Sequence, residues 1–159
     1  MAAAVDEKTS GRRRRRRTID YGLLPSLIGY NLRKSQIAVF QDFAATVGAE
    51  DITPGQFGVL TLIQSNEGLN QSELGEAMGV DRSTVVAVID RLEQRGLVHR
   101  MPAPNDRRSY ALRLSVAGAA TLRRLQPLIR RHEAAIASGL SAAEQRTLID
   151  LLRRIGGNA

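Results

Sequence analysis

The sequence predicts a mainly α-helical fold with one small β-hairpin. Three observations carry this expectation. Apolar residues recur at helical spacing along most of the chain, helix-capping side chains stand just before the periodic segments, and one stretch near residue 100 changes to two short strand-like runs around a turn-rich tip. Of the 159 residues, 43% are hydrophobic but only 4% aromatic, so the core is expected to be aliphatic and built from packed helices.

Residues 1–19 are small, polar or arginine-rich and show no apolar face, which reads as a disordered arm. From Leu23 to Val47 the spacing is helical, with Ile28, Leu32, Val39, Phe43 and Val47 on one stripe, Pro25 in the first turn and Gly48 as terminator. Thr53-Pro54-Gly55-Gln56 is a helix start, and Phe57, Leu60 and Ile63 follow it. Asn70-Gln71-Ser72-Glu73 starts a short helix carrying Leu74, Ala77 and Met78. After Gly79-Val80, Asp81 caps a further helix with Val85, Val88, Ile89 and Leu92, which stops at Gly96. Leu97 to Met101 and Ser109 to Leu114 read as strands flanking a polar tip over 102–108. Ser115 caps a long helix bearing Leu122, Leu125, Ile129, His132 and Ile136, which Pro127 is expected to bend. Ser141-Ala142-Ala143-Glu144 opens the last helix, with Leu148, Leu151, Leu152 and Ile155 on one side. The outer helices carry apolar stripes with few partners inside one small chain, and a second copy is the simplest cover for them.

Charge narrows the function only through its placement. Lys and Arg number 23 against 16 Asp and Glu, a formal charge of +7 that falls to +1 without the six arginines Arg12–Arg17. The basic character therefore sits in the arm, and the folded body is nearly balanced. Cysteine is absent, which excludes disulfides, thiolate metal sites and thiol redox sensing. No apolar stretch approaches bilayer length, and Thr18-Ile19-Asp20-Tyr21-Gly22 after the arginines is not an export signal, so a soluble, cytoplasmic protein with no membrane role is expected.

Two short helices joined by a glycine-containing connector form a helix-turn-helix, whose second helix usually enters the major groove by its N-terminal residues. Here those residues are Arg82, Ser83 and Thr84. Arg82 suits bidentate pairing with guanine, Ser83 and Thr84 reach bases or phosphates, and Ala87 and Arg91 face the groove further on. The alternative is an ordinary helical hairpin with a solvated face. The β-hairpin carries Asp106, Arg107 and Arg108 at its tip and Arg100 at its base. A projecting arginine suits the minor groove, with Asp106 orienting Arg108, although a solvated charged turn has the same composition.

The segment Asn70 to Ser115 resembles the MarR family of winged helix-turn-helix regulators. The resemblance rests on Leu74-Gly75-Glu76-Ala77-Met78-Gly79-Val80 followed by Asp81-Arg82-Ser83-Thr84-Val85, on Ile89-Asp90-Arg91-Leu92-Glu93-Gln94-Arg95-Gly96-Leu97-Val98, and most strongly on Asp106-Arg107-Arg108-Ser109 with Leu112-Arg113-Leu114-Ser115, the family's wing signature. It extends more loosely over residues 20–155 and leaves out the arm. It implies a winged helix-turn-helix lobe at 51–115 between dimerisation helices at 20–50 and 116–159. It also implies a homodimer on a palindromic double-stranded operator, with Arg82, Ser83 and Thr84 in the groove and Arg107 and Arg108 at the wing, held by Asp106. An effector pocket between the dimerisation helices and the DNA-binding lobe is implied as well.

For the effector, Arg33 and Lys34 suit a carboxylate or phosphate, Tyr30 is their neighbour, and Phe40 and Phe57 are candidates to line an apolar cavity; the plainer alternative is a solvated basic patch and core phenylalanines. Gly29-Tyr30-Asn31-Leu32-Arg33-Lys34 also resembles family members that respond to hydroxycinnamoyl-coenzyme A thioesters. The expected effector is thus an aromatic acid or its acyl-CoA ester, and the expected role is repression of genes for aromatic-compound breakdown.

Catalysis is not expected. The two histidines, His99 and His132, stand apart, His132-Glu133 lacks the second histidine of a metal-binding helix, and there is neither a phosphate-binding glycine loop nor a Gly-x-Ser-x-Gly elbow. No cofactor or metal is implied. The remaining rival is a non-specific, architectural DNA-binding protein, which the arginine arm alone would serve. Deleting residues 1–17 is expected to flatten the dependence of DNA binding on salt while preserving the preferred operator, because the arm adds phosphate contacts rather than base contacts. Binding isotherms over a salt series check this, and an altered operator preference would make the arm a base reader.

Overall fold

The computed structural model describes residues 18–103 and 106–157; the side chains of 103 and 106–109 lie outside that description, as does the arginine run. The chain divides into two compact units, Met1–Lys34 and Ser35–Ala159.

In the first unit a short 3-10 turn, Leu24–Ser26, precedes helix α1 (Ile28–Val47), which runs on into the second unit. The single helix expected from Leu23 is thus interrupted: Leu27 is extended (φ −89°, ψ 129°), and Pro25 belongs to the separate turn. Local side chains stabilise the break. Ser26 Oγ donates to the Leu23 carbonyl at 2.8 Å, and Asn31 Nδ2 donates to the carbonyls of Pro25 (2.9 Å) and Leu27 (2.8 Å), groups that a continuous helix would have paired itself.

The second unit holds the core. Helix α2 (Pro54–Ser65) starts at a complete capping box, Thr53 accepting from the Gln56 amide and Gln56 accepting from the Thr53 amide. Helix α3 (Gln71–Met78) starts at another, Asn70 with Glu73. Gly79 (φ 62°) turns the chain through the left-handed region, and helix α4 (Arg82–Gln94) begins at once, capped by Asp81. Strands β1 (Val98–Ala103) and β2 (Asp106–Leu114) form an antiparallel hairpin paired from Val98↔Leu114 to Pro102↔Tyr110, with a register shift after Pro102. They run further than expected and take in most of the supposed tip, because backbone pairing continues past the alternating apolar residues. Helix α5 (Val116–Ile136) continues through exposed Pro127, and helix α6 (Ala142–Ile155) closes the chain at a third capping box, Ser141 with Glu144.

Val47, Leu60, Leu74, Ile89, Leu92, Val98, Leu112 and Leu125 are almost wholly buried in one cluster, so the apolar faces of α2 to α5 and the hairpin meet in a single core. Each such side chain contributes on the order of 1.5–3 kcal/mol by leaving water. The loop between α1 and α2 is pinned to this core by charge. Gly48 does not end α1 in the left-handed region; a 3-10 turn, Gly48–Glu50, follows, and Asp51 takes the positive φ (51°) instead. Arg95 donates to the Asp51 and Glu50 carbonyls, and Arg124 grips the Glu50 carboxylate through Nε and Nη2 (3.2 and 2.9 Å), which holds that carboxyl below its usual range. These contacts make the left-handed Asp51 tolerable.

The closest packing lies where α5 leaves the hairpin. Ser115 Oγ donates to the Gly96 carbonyl (2.6 Å) and accepts from the Gly118 amide (2.9 Å). A Cβ added to Gly118 would stand 2.0 Å from the Leu97 carbonyl oxygen, a backbone atom that cannot swing away. Gly118→Ala is therefore expected to destabilise the fold by about 1–3 kcal/mol, whereas Ala at Gly139, which has nothing within 4 Å, is expected to be neutral. Thermal denaturation of the two variants checks the contrast.

Candidate nucleic-acid interface

Helix α4 has two faces. Val85, Ile89 and Leu92 are buried in the core, and the other face is turned to solvent. All five expected groove residues of α4 are thus exposed: Ser83, Thr84, Ala87 and Arg91 lie opposite the buried stripe, and Arg82 stands at the helix start on the side of α3. A shallow groove beside them, between α3 and α4, is lined by Gln71, Ser72, Glu76, Val80 and Arg82.

The first turn of α4 is held by Asp81. Its Oδ1 accepts from the Thr84 amide (3.0 Å) and from Ser83 Oγ, and its Oδ2 accepts from Thr84 Oγ1 (2.8 Å). The hydrogen bond from Ser83, then those from the Thr84 amide and hydroxyl, hold the Asp81 carboxyl far below the usual carboxylate range. The negative charge so favoured sits at the positive end of the helix dipole.

Arg100, expected as a DNA contact at the hairpin base, is largely taken up by internal partners. Its side chain is 20% exposed; Nη2 lies 2.6 Å from Asp90, and Nη1 pairs with Glu93. The Arg100 amide also donates to Glu93, and the Gln71 side-chain oxygen, oriented by its partners, accepts from Nε (2.8 Å) and Nη2 (3.0 Å). Burial opposes the charge on Arg100, but the hydrogen bonds and charges of Asp90 and Glu93 outweigh it, so the guanidinium holds its proton more tightly than usual. The residue thus ties β1 to α4 and to the start of α3. Its single positive charge offsets one of the two negative charges that Asp90 and Glu93 bring to α4. Sequence reasoning missed these partners, although Asp90 and Glu93 stand one turn apart on the helix and so share a side of it.

The hairpin is registered to the helix pair a second time: Asn70 bridges Ala111, and the Leu112 amide donates to the Leu69 carbonyl at 2.8 Å. The backbone of β2 carries Asp106, Arg107 and Arg108, whose side chains lie outside the described residues.

The expected effector residues fall in both units. In the first, Tyr30 stands 6.5 Å from the Tyr21 ring, and Lys34 Nζ lies 5.7 Å from the Tyr30 centroid, in cation–π range; Arg33 is exposed. In the second, Phe40 is half exposed, and Phe57 packs against the core cluster. His99 is exposed on β1. His132 is buried, with Nδ1 2.6 Å from Asp42 and its ring set edge-on to Phe43, a joint between α5 and α1.

The sequence matches the profile of the MarR family over residues 52–110, the segment that holds α2 to α4 and most of the hairpin. A putative transcriptional regulatory protein for the hcr operon of Thauera aromatica is 42% identical over 136 residues, 85% of this chain and 82% of that one. The fold is similar to that of the transcriptional repressor CouR bound to a 23-mer DNA duplex, at 39% identity and TM-score 0.83 over 88% of this chain and 99% of that one. CouR bound to p-coumaroyl-CoA gives 37% identity and 0.81 over 87% and 98%. The PcaV transcriptional regulator from Streptomyces coelicolor, in complex with its natural ligand, gives 34% and 0.80 over 89% and 97%.

Arg100→Ala is expected to lower both thermal stability, by roughly 1–3 kcal/mol through two carboxylates left without their partner, and DNA affinity, because hairpin and α4 lose their common anchor. Arg91→Ala is expected to lower affinity with no change in melting temperature. Melting curves and band shifts on the two variants separate positioning from contact.

Proposed function

The chain belongs to the MarR family of transcription regulators, and from that premise we propose that it is a homodimeric repressor of genes for aromatic-compound breakdown. It grips a palindromic operator through α4 and the hairpin and lets go when an aromatic acid or aromatic acyl-CoA thioester binds. The observation that carries the reading is the exposed first turn of α4, with Arg82, Ser83 and Thr84, fastened to the hairpin through Arg100. Arg107 and Arg108 then serve the minor groove from the hairpin.

The unpartnered apolar surface favours the dimer. On α6, Leu148, Leu151, Leu152 and Ile155 are each 40% exposed or more, and in the first unit Ile19, Leu23, Leu27 and Ile28 are similarly uncovered. A second copy covers such faces symmetrically, and its α4 then meets the next major groove about one helical turn away. An aromatic thioester as effector is supported by the likeness to CouR, solved with p-coumaroyl-CoA. The absence of cysteine leaves no thiol route to sensing. Arg33 and Lys34 supply the cations for a carboxylate or for coenzyme A phosphates, and Tyr30, already beside Lys34, supplies an aromatic face.

Footprinting is expected to show one protected site with two half-sites; uniform coating would favour the architectural reading instead. Band-shift titration with p-coumaroyl-CoA and with free p-coumaric acid is expected to release the operator with one of the two. Retention against every aromatic acid and thioester tried would overturn the effector reading. With the active ligand, Arg33→Ala combined with Lys34→Ala is expected to weaken the response several-fold and leave ligand-free DNA binding intact.

A further inference from the structure

The hydrogen bonds at the start of α4 settle more than the helix end. A hydroxyl has one proton to donate and two lone pairs with which to accept. Ser83 gives its proton to Asp81 Oδ1, and Thr84 gives its proton to Asp81 Oδ2. The carboxylate is the strongest acceptor within their reach, and charge-assisted hydrogen bonds of this kind outlast neutral ones. We propose that Asp81 decides the hydrogen-bonding polarity of the recognition helix: by holding both hydroxyl protons it turns Ser83 and Thr84 into pure acceptors, so that they select base amino groups in the major groove and reject base carbonyls and phosphates. The proposal rests on the operator-reading role given to α4 above.

The chemistry of the grooves makes this a sequence signal. In the major groove the exocyclic amines of adenine and cytosine donate, whereas O6 of guanine and O4 of thymine accept. A side chain able only to accept therefore gains a hydrogen bond from an amine, but sets lone pair against lone pair when the pair is reversed and a carbonyl takes that place. A hydroxyl free to rotate adapts to either and discriminates little. The same carboxylate also removes the alternative use of the site. The amide of Thr84, which a phosphate would otherwise find at the helix start, already donates to Asp81 (3.0 Å), and the negative charge there repels an approaching phosphate. What remains at the tip is Arg82 as donor and Ser83 and Thr84 as acceptors, a set fitted to base edges.

Selection from random duplexes with the full-length protein tests this, using wild type, Ser83→Ala, Thr84→Val and Asp81→Asn. Asn caps helices about as well as Asp, so the helix start survives, but its Nδ2 cannot accept a hydroxyl proton. The expected result has three parts. Ser83→Ala and Thr84→Val each erase a preference at a particular operator position. At those positions wild type favours the amine-presenting base by roughly 3–10-fold over the reversed pair. Asp81→Asn keeps the capping oxygen that serves the Thr84 amide and Ser83 but removes the acceptor of the Thr84 hydroxyl, so it reduces the preference at the Thr84 position to within about 2-fold while melting within a few degrees of wild type, and its affinity for unrelated duplex does not fall, since a negative charge has left the interface. Asp81→Asn keeping the full preference at the Thr84 position would overturn the proposal, and so would wild type favouring the carbonyl-presenting base at either position. A wild-type protein that enriches no sequence at all would instead overturn the operator-reading role itself, which makes the two failures distinguishable.

Discussion

The candidate DNA-binding surface depends on one partly buried guanidinium. Arg100 comes from the hairpin, yet its nitrogens are claimed by Asp90 and Glu93 of α4 and by Gln71 at the start of α3. Three elements that the core alone would hold by non-directional contact are thereby locked in register. The planar fork matters because it meets several acceptors at fixed angles, which a lysine ammonium does not. The charge of Arg100 also offsets part of the negative charge that Asp90 and Glu93 place on α4. The backbone bridge from Asn70 to Ala111 repeats the coupling from the other strand, so hairpin and helix pair are joined on both edges.

Helix ends do more here than stop fraying. Asn70 caps α3 and also pairs with β2, so the cap that starts the first helix of the pair sets the position of the hairpin. Ser115 caps α5 while donating to Gly96 just beyond α4, which fixes the exit of the hairpin against the recognition helix. Asp81 caps α4 and orders its two hydroxyls. In each case a short polar side chain satisfies orphan amides, and at Asn70 and Ser115 the same residue also joins neighbouring elements, through its backbone in the first and its hydroxyl in the second. At Gly118 the backbone of α5 packs directly on that of Leu97, just before β1, so the two cannot approach further.

The same comparison of local and distant contacts explains what was legible in the chain. Capping boxes at Thr53, Asn70 and Ser141 were readable because donor and acceptor are three residues apart, and the structure realises each of them. The exposed face of α4 was readable because its opposite face is apolar at helical spacing. The first helix was misread at Leu23 because periodicity cannot see Leu27 turning extended under hydrogen bonds from Asn31. The first helix does end at Gly48, but the left-handed residue is Asp51, tolerated through Arg95 more than forty positions away, which local pattern cannot show.

By itself, then, the order of residues determined the helices, the hairpin, the solvent-facing turn Arg82-Ser83-Thr84 and the family they resemble, since all of these follow from patterns with periods of two to four residues. Only the tertiary structure decided that Arg100 pairs with Asp90 and Glu93, that Phe57 packs on the core while Phe40 stays half exposed, and that His132 pairs with Asp42. Each of those outcomes depends on which groups meet across long stretches of chain, and a charged or aromatic side chain takes its role from whatever partner the packed core brings within reach.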